Sequence, residues 1–147
     1  MVIKSKRQVG KNFLANAILL NYCSYGLTNC LLEPTIPQAR RAYYQMVKML
    51  QGSNIIKSAN ASTLIIEFIN GAEILYKSAG QQLAGFTISG VAIIDEVVYL
   101  PEDDIDTFLP TCDAQKANIV YISTPMFASG RFYEEFTNPE PNKLILD

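Results

Sequence analysis

Three short stretches of this 147-residue chain combine residue types that can do phosphate chemistry. The first is Ser5-Lys6-Arg7-Gln8-Val9-Gly10-Lys11-Asn12, set between a short apolar start and a helix-like run. A Gly-Lys pair at a strand-to-helix turn is how a phosphate loop ends. Backbone N–H groups curl around the β-phosphate, the helix N-terminus adds partial positive charge, and the lysine reaches the β and γ oxygens. Gly10 and Lys11 fit. Ser5 stands where the first glycine of the general motif is expected, and Asn12 where serine or threonine would hold Mg²⁺. On these eight residues alone, a basic turn capping a helix fits as well.

The second stretch is Val91-Ala92-Ile93-Ile94-Asp95-Glu96. An apolar strand that ends in two carboxylates is a Walker B pattern, because ligands of open α/β sheets bind at the C-terminal edge of the strands. There Asp95 would hold a metal shell, directly or through water, and Glu96 would orient or deprotonate an attacking water. The plain alternative is a buried strand followed by a charged turn, and a phosphate-loop candidate upstream weakens it. The third stretch, Asn118-Ile119-Val120-Tyr121-Ile122-Ser123-Thr124-Pro125, is again an apolar run ending in polar groups. Its hydroxyls are placed to sense a γ-phosphate or a water, and a strand-end turn broken by Pro125 is the generic alternative.

Elements that position these residues can be read from periodicity and turn chemistry. The pattern predicts strands over 1–3, 28–33, 55–58, 64–69, 73–76, 91–94 and 118–122, and one just beginning at 144–146. Helices are predicted over 11–21, with Leu14, Ala17, Ile18 and Asn21 on one face, over 38–50 with Pro37 at its first position, and more briefly over 101–108 and 131–137. Asn70-Gly71 is the strongest short hairpin signal in the chain. Alternating strands and helices argue an α/β fold with a largely parallel central sheet, flanking helices and a β-hairpin insertion, in a single domain.

Composition removes several chemistries. There is no histidine, which excludes Ser-His-Asp and Cys-His catalysis, histidine-ligated metals and an imidazole base. Cys23, Cys30 and Cys112 form no CxxC and leave one unpaired in any disulfide scheme, so they read as buried thiols of a reducing compartment. No apolar run approaches the roughly 20 residues of a membrane span. Residues 1–48 hold seven basic side chains and one acid, Glu33, whereas residues 49–147 hold five basic and 13 acidic ones. Solvated faces account for such a split by default, and a nucleotide site with cations for phosphate and carboxylates for metal is the sharper reading.

In order and spacing, the three stretches together resemble the ATPase domain of the large terminase subunit, the DNA-packaging motor of tailed bacteriophages. Lys6-Arg7-Gln8-Val9-Gly10-Lys11 resembles that family's variant phosphate loop, in which Arg-Gln precedes Gly-Lys and the first glycine is often lost. Ile93-Ile94-Asp95-Glu96 is similar to its Walker B strand with the catalytic glutamate, and Gly80 to Ser89 to the segment before it. Ser123-Thr124-Pro125, with Gly130 and Phe132-Tyr133-Glu134, resembles its coupling motif. The resemblance runs from about Ile3 to about Phe136 and implies a P-loop NTPase fold, with ATP and Mg²⁺ as cofactors.

By that resemblance, residues 5–12 (Ser5, Lys6, Arg7, Gln8, Val9, Gly10, Lys11 and Asn12) cradle the nucleotide. Lys11 neutralises the β/γ-phosphates and Arg7 acts as a cis arginine, a role weighed evenly against a solvated cation. Asp95 and Asn12 hold the metal, Glu96 handles the water, and Ser123 and Thr124 report the phosphate state. The implied partners are double-stranded DNA, the portal protein, the small terminase subunit and other copies in a ring, in the host cytoplasm and away from membranes. Two residues depart from the family: Asn12 lacks the usual hydroxyl, and Ala84 stands where arginine is frequent. The chain reads as a partial ATPase domain that begins within its first strand and carries no nuclease domain. A non-catalytic or truncated assembly module and a helicase-like, DNA-stimulated ATPase are the competing functions. Tyr43-Tyr44 and Arg40-Arg41 are read as an amphipathic helix, and the acids at 102–106 as a helix N-terminal turn.

Overall fold

A computed structural model describes residues 1–5, 10–124, 130–138 and 143–146. Eight strands form one sheet: β1 (Val2–Ser5), β2 (Thr28–Glu33), β3 (Ile56–Asn60), β4 (Ile65–Phe68), β5 (Glu73–Ser78), β6 (Val91–Asp95), β7 (Asn118–Ser123) and β8 (Lys143–Leu146). Their order is β3-β4-β5-β2-β6-β7-β1-β8. From β5 to β8 every neighbouring pair is parallel, and β3 and β4 add an antiparallel edge.

Period-2 alternation divides the apolar residues between two faces. Leu31, Ile93 and Ile122 point to the side covered by helices α1 (Lys11–Cys23) and α2 (Ile36–Met49), where Ala15, Leu19, Tyr43 and Met46 meet them. Leu32, Ala92, Ile94 and Tyr121 point the other way. There they pack under a short 3₁₀ turn (Val97–Tyr99) and helices α3 (Glu102–Phe108), α4 (Pro110–Asp113) and α5 (Arg131–Thr137). Burial on both faces explains why β6 reads as an unbroken apolar run up to Asp95. No helix among the described residues is long and apolar enough to cross a membrane.

One expectation needs correction. The buried face of α1 is Lys11, Ala15, Asn16, Leu19 and Cys23, while Ala17 and Asn21 are exposed. Polar and apolar residues are spread round that helix, so periodicity alone did not select a face. The Asn70-Gly71 turn does join β4 to β5: Gly71 has φ 87°, and the Asn70 side chain accepts from the Ala72 N–H at 3.1 Å. β5 is also a parallel partner of β2, so the hairpin inserted between α2 and β6 continues the central sheet as its antiparallel edge. A second turn, over 60–64, is held by Asn60 Oδ1 accepting from the Ser62 and Thr63 N–H groups.

Other readings hold. Thr35 caps α2 through its hydroxyl oxygen, which accepts from the Gln38 N–H, with Pro37 in the first turn. Tyr43 is buried edge-on against Tyr76, whereas Tyr44, Arg40 and Arg41 are exposed. The acids of α3 have structural partners: Arg131 bonds Asp106 at 2.6 Å, and Asp104 accepts from the Gly80 N–H at 3.1 Å. All three cysteines are buried free thiols.

Entry into β6 depends on one buried amide. Asn29 donates to the Leu27 carbonyl at 2.8 Å and accepts from the Val91 N–H at 3.0 Å, aligning β2 with β6. A Cβ at Gly90 would lie 2.1 Å from Asn29 Oδ1 and 2.9 Å from the Leu27 Cβ. Because Asn29 is tied at both ends, Gly90→Ala is expected to cost about 2 kcal/mol, read as a lowered urea midpoint. An unchanged midpoint would mean that this strand entry is loosely held.

Candidate nucleotide site

Strands β2, β6, β7 and β1 run parallel, so their C-terminal ends share one edge of the sheet. That edge collects Glu33, Asp95 and Ser123, with Lys11 at the start of the helix that follows β1. Gly10 takes φ 76° and ψ 23°, a left-handed conformation that glycine adopts without a Cβ penalty. Among the described residues no side chain caps α1, and its first turn carries no acid, so N–H groups there are suited to an anion.

The side-chain amine of Lys11 is paired with Glu96 Oε1 and donates to Thr124 Oγ1 at 3.3 Å. The lysine is only 8% exposed. One contact set thus joins all three stretches singled out in the sequence. Glu96 reaches the lysine because its backbone is left-handed, with φ 47° and ψ 42°, directly after β6. Asp95 Oδ1 accepts from the Glu96 N–H at 2.8 Å and steadies that turn. A non-glycine residue there carries on the order of 1 kcal/mol of strain, a feature that gathers at functional sites.

Beside this pair lies a polar cavity of about 150 Å³ lined by Asn12, Glu33, Gln38, Arg41, Asp95 and Glu96. Glu33 and Asp95 are each 3% exposed. Burial, then the charges of Asp95 and Glu96, push the Glu33 carboxyl up to about 8; Lys11 and Arg41 oppose the shift. Burial likewise raises Asp95 to about 6 against the Glu96 N–H and Lys11. Glu96 Oε2 is buried with no hydrogen-bond partner among the described residues.

This donor set fits a divalent cation that keeps waters and shares phosphate oxygens. Carboxylates are crowded enough to resist ionising, one buried oxygen is unpartnered, and Asn12 offers a neutral oxygen. No group of three His, Cys, Asp or Glu among the described residues forms a metal cage by itself.

The structure therefore brings together Gly10, Lys11, Asn12, Asp95, Glu96 and Thr124. Ser123 is fully buried one residue away, with its hydroxyl turned to the Thr124 carbonyl at 3.4 Å. The phosphate-loop residues Lys6, Arg7, Gln8 and Val9 lie outside the described residues, as do residues 125–129, and of Ser5 only the strand backbone is described. Sequence reasoning missed Glu33, Gln38 and Arg41. Glu33 had a usable signal: Cys30-Leu31-Leu32-Glu33 ends an apolar run in a carboxylate, as Ile93-Ile94-Asp95 does. Gln38 and Arg41 are three apart on one helix, so once Glu33 is placed they face the same edge.

A mostly parallel sheet with Gly10-Lys11 opening the helix after one strand and Asp95-Glu96 closing another is a P-loop-NTPase-like fold. The chain has, more narrowly, the fold of phage large-terminase ATPase domains. It is similar to the large-terminase ATPase domain of Thermus phage P74-26, at 19% identity and a TM-score of 0.77 over 99% of this chain and 74% of that one. The bacteriophage HK97 large terminase is 18% identical, with a TM-score of 0.80 over 99% of this chain and 34% of its own. A large terminase from a thermophilic bacteriophage, in complex with ADP, is 18% identical, with a TM-score of 0.75 over 99% of this chain and 39% of its own. That terminase has also been solved with ATP-γ-S. The chain thus spans about three-quarters of the isolated P74-26 domain and under two-fifths of the two longer terminases. No family model matches the sequence, and no curated protein does.

Proposed function

We propose that this chain is an ATP-hydrolysing module of a viral DNA-packaging terminase. The observation that carries the reading is the Lys11–Glu96 ion pair with Thr124 beside it. Three sequence-distant stretches converge where a γ-phosphate, its attacking water and a reporting hydroxyl are needed together. Lys11 and the N–H groups opening α1 bind the triphosphate. Glu96 accepts a proton from water as the water attacks phosphorus and the bond to ADP breaks. Asp95 and Asn12 would hold Mg²⁺, which neutralises developing phosphate charge when bound. Thr124, and Ser123 behind it, relay the loss of the γ-phosphate to β7. Residues 5–9 complete the phosphate loop, with Arg7 as the cis arginine.

Within the whole motor, the module acts in a homo-oligomeric ring on double-stranded DNA, with portal protein and small terminase subunit as partners, in the host cytoplasm. One observation favours a second reading, a nucleotide-binding module without turnover: Asn12 lacks the hydroxyl expected after the lysine.

Equilibrium binding of a fluorescent ATP analogue, with and without Mg²⁺, tests the reading. Lys11→Ala is expected to weaken Mg²⁺-dependent binding by about 10- to 100-fold. Undiminished binding by this variant would remove the phosphate-loop assignment. Binding without measurable hydrolysis would favour the second reading.

A further inference from the structure

The polar cavity beside Lys11 has two unlike walls. One is built at the ends of β2 and β6 and carries the carboxylates Glu33, Asp95 and Glu96. The other is α2, which contributes Gln38 and Arg41, three residues apart and so on one helix face. Gln38 is pinned. Its Oε1 accepts from the Thr35 hydroxyl at 2.6 Å, and its N–H donates back to that hydroxyl oxygen at 3.4 Å. Arg41 is not pinned. A guanidinium is always charged, and beside a carboxylate it ordinarily makes a forked pair. Three carboxylates line the cavity with it, yet among the described residues none stands within ion-pair distance. Its charge does reach Glu33, whose protonation it opposes. The helix thus holds this cation across a gap from the acids, and the gap is the cavity.

We infer that Arg41 is a catalytic residue, a cation supplied by α2 from outside the phosphate loop, and that it binds the terminal phosphate of the nucleotide. The inference rests on the ATPase reading and deepens it. Size selects the group. At roughly 30 Å³ per water, a cavity of about 150 Å³ holds about five water-sized groups. That is enough for a phosphoryl group with a cation and too little for a nucleoside. Chemistry selects the walls: the carboxylates suit a cation, and the donors of Gln38 and Arg41 suit phosphate oxygens. Lys11, the other cation here, is already paired with Glu96, whereas Arg41 has no ion pair to give up among the described residues. As water attacks and the bond to ADP breaks, charge spreads over the oxygens of the departing phosphoryl group, and a planar guanidinium can meet two of them at once. ADP lacks that group, so the contact also lets α2 distinguish ATP from ADP.

Calorimetric titration of the whole chain with ADP and with the slowly hydrolysed ATP-γ-S, each with Mg²⁺, tests the inference. Arg41→Ala is expected to weaken ATP-γ-S binding by about 10- to 100-fold and to leave ADP binding unchanged. ATP hydrolysis at saturation is expected to fall by about 10²-fold or more in the same variant. Arg41→Lys, which keeps the charge and loses the fork, is expected to fall between the two proteins. Arg41 is exposed, so these replacements spare the core. Equal losses for ADP and ATP-γ-S would overturn the inference, because Arg41 would then act only by offsetting the carboxylates. Unchanged ATP-γ-S binding would overturn it too. Lys11→Ala separates this inference from the reading beneath it: weaker binding of both ligands in that variant keeps the phosphate loop in place whatever Arg41 does. No binding of either ligand by the wild type would overturn the phosphate reading and this inference with it.

Discussion

Glu96→Gln is expected to lower the rate of ATP hydrolysis by about 10³-fold while the protein still binds nucleotide. Glutamine keeps the length and shape of the side chain but takes no proton. In the proposed role, the surroundings of the wild-type carboxylate place it for that task. A left-handed backbone turns it back over the end of β6, Lys11 holds one oxygen, and the other oxygen is buried with no hydrogen-bond partner among the described residues. Single-turnover hydrolysis, measured at saturating ATP and normalised to bound nucleotide, separates this effect from weaker binding. A loss smaller than about tenfold would exclude Glu96 as the base, and Glu33 would then be the carboxylate to replace next.

The second large effect concerns stability. Glu33→Gln is expected to stabilise the nucleotide-free protein at pH 8.5 by on the order of 3 kcal/mol. The direction follows from linkage. Glu33 is held at about 8 in the folded state against an ordinary 4.5, so between those values the folded chain binds more protons than the unfolded one. Wild-type stability is therefore lost as pH rises through that window. Asp95, raised from 3.8 to about 6, adds to the loss at its lower end. Glutamine removes the ionisation at position 33, so the two proteins should converge at pH 4.5 and diverge steadily above it. Lys11 and Arg41 face the same group and moderate the effect without reversing it. Urea unfolding from pH 4.5 to 8.5 measures the difference. Adding Mg²⁺ with nucleotide should narrow it, because a cation favours the carboxylate that burial opposes. Parallel curves for the two proteins would mean that Glu33 is satisfied in a way the cavity geometry does not convey.

Much of this architecture was legible because local signals agreed with one another. Doubly buried strands announce themselves as apolar runs, and Val91 to Ile94 and Ile119 to Ile122 sit in adjacent parallel strands as that pattern implies. Asn70-Gly71 marked its turn, and Pro37 marked the start of α2. Other features depended on tertiary context. The buried face of α1 could not be chosen from a helix whose polar and apolar residues are spread round it, and the short turn after Glu96 follows no strong cap or breaker pattern. At the site, Lys11, Asp95 and Glu96 stood out through the company they keep in sequence. Glu33 and Arg41 gain meaning only when β2 lies beside β6 and α2 leans over that edge, a long-range arrangement that no local window contains.

On the proposed function, the Lys11–Glu96 pair also makes substrate binding a competition. A triphosphate entering the loop must draw the ammonium away from the carboxylate, so the wild-type affinity is a net quantity from which the cost of parting the pair has been subtracted. Neutralising Glu96 removes that cost, so the variant that turns over most slowly should also hold Mg-ATP more tightly than the parent. The carboxylate is likewise masked until the phosphates arrive. Protection against idle proton chemistry is then built into the resting state, and the substrate's own charge lifts it.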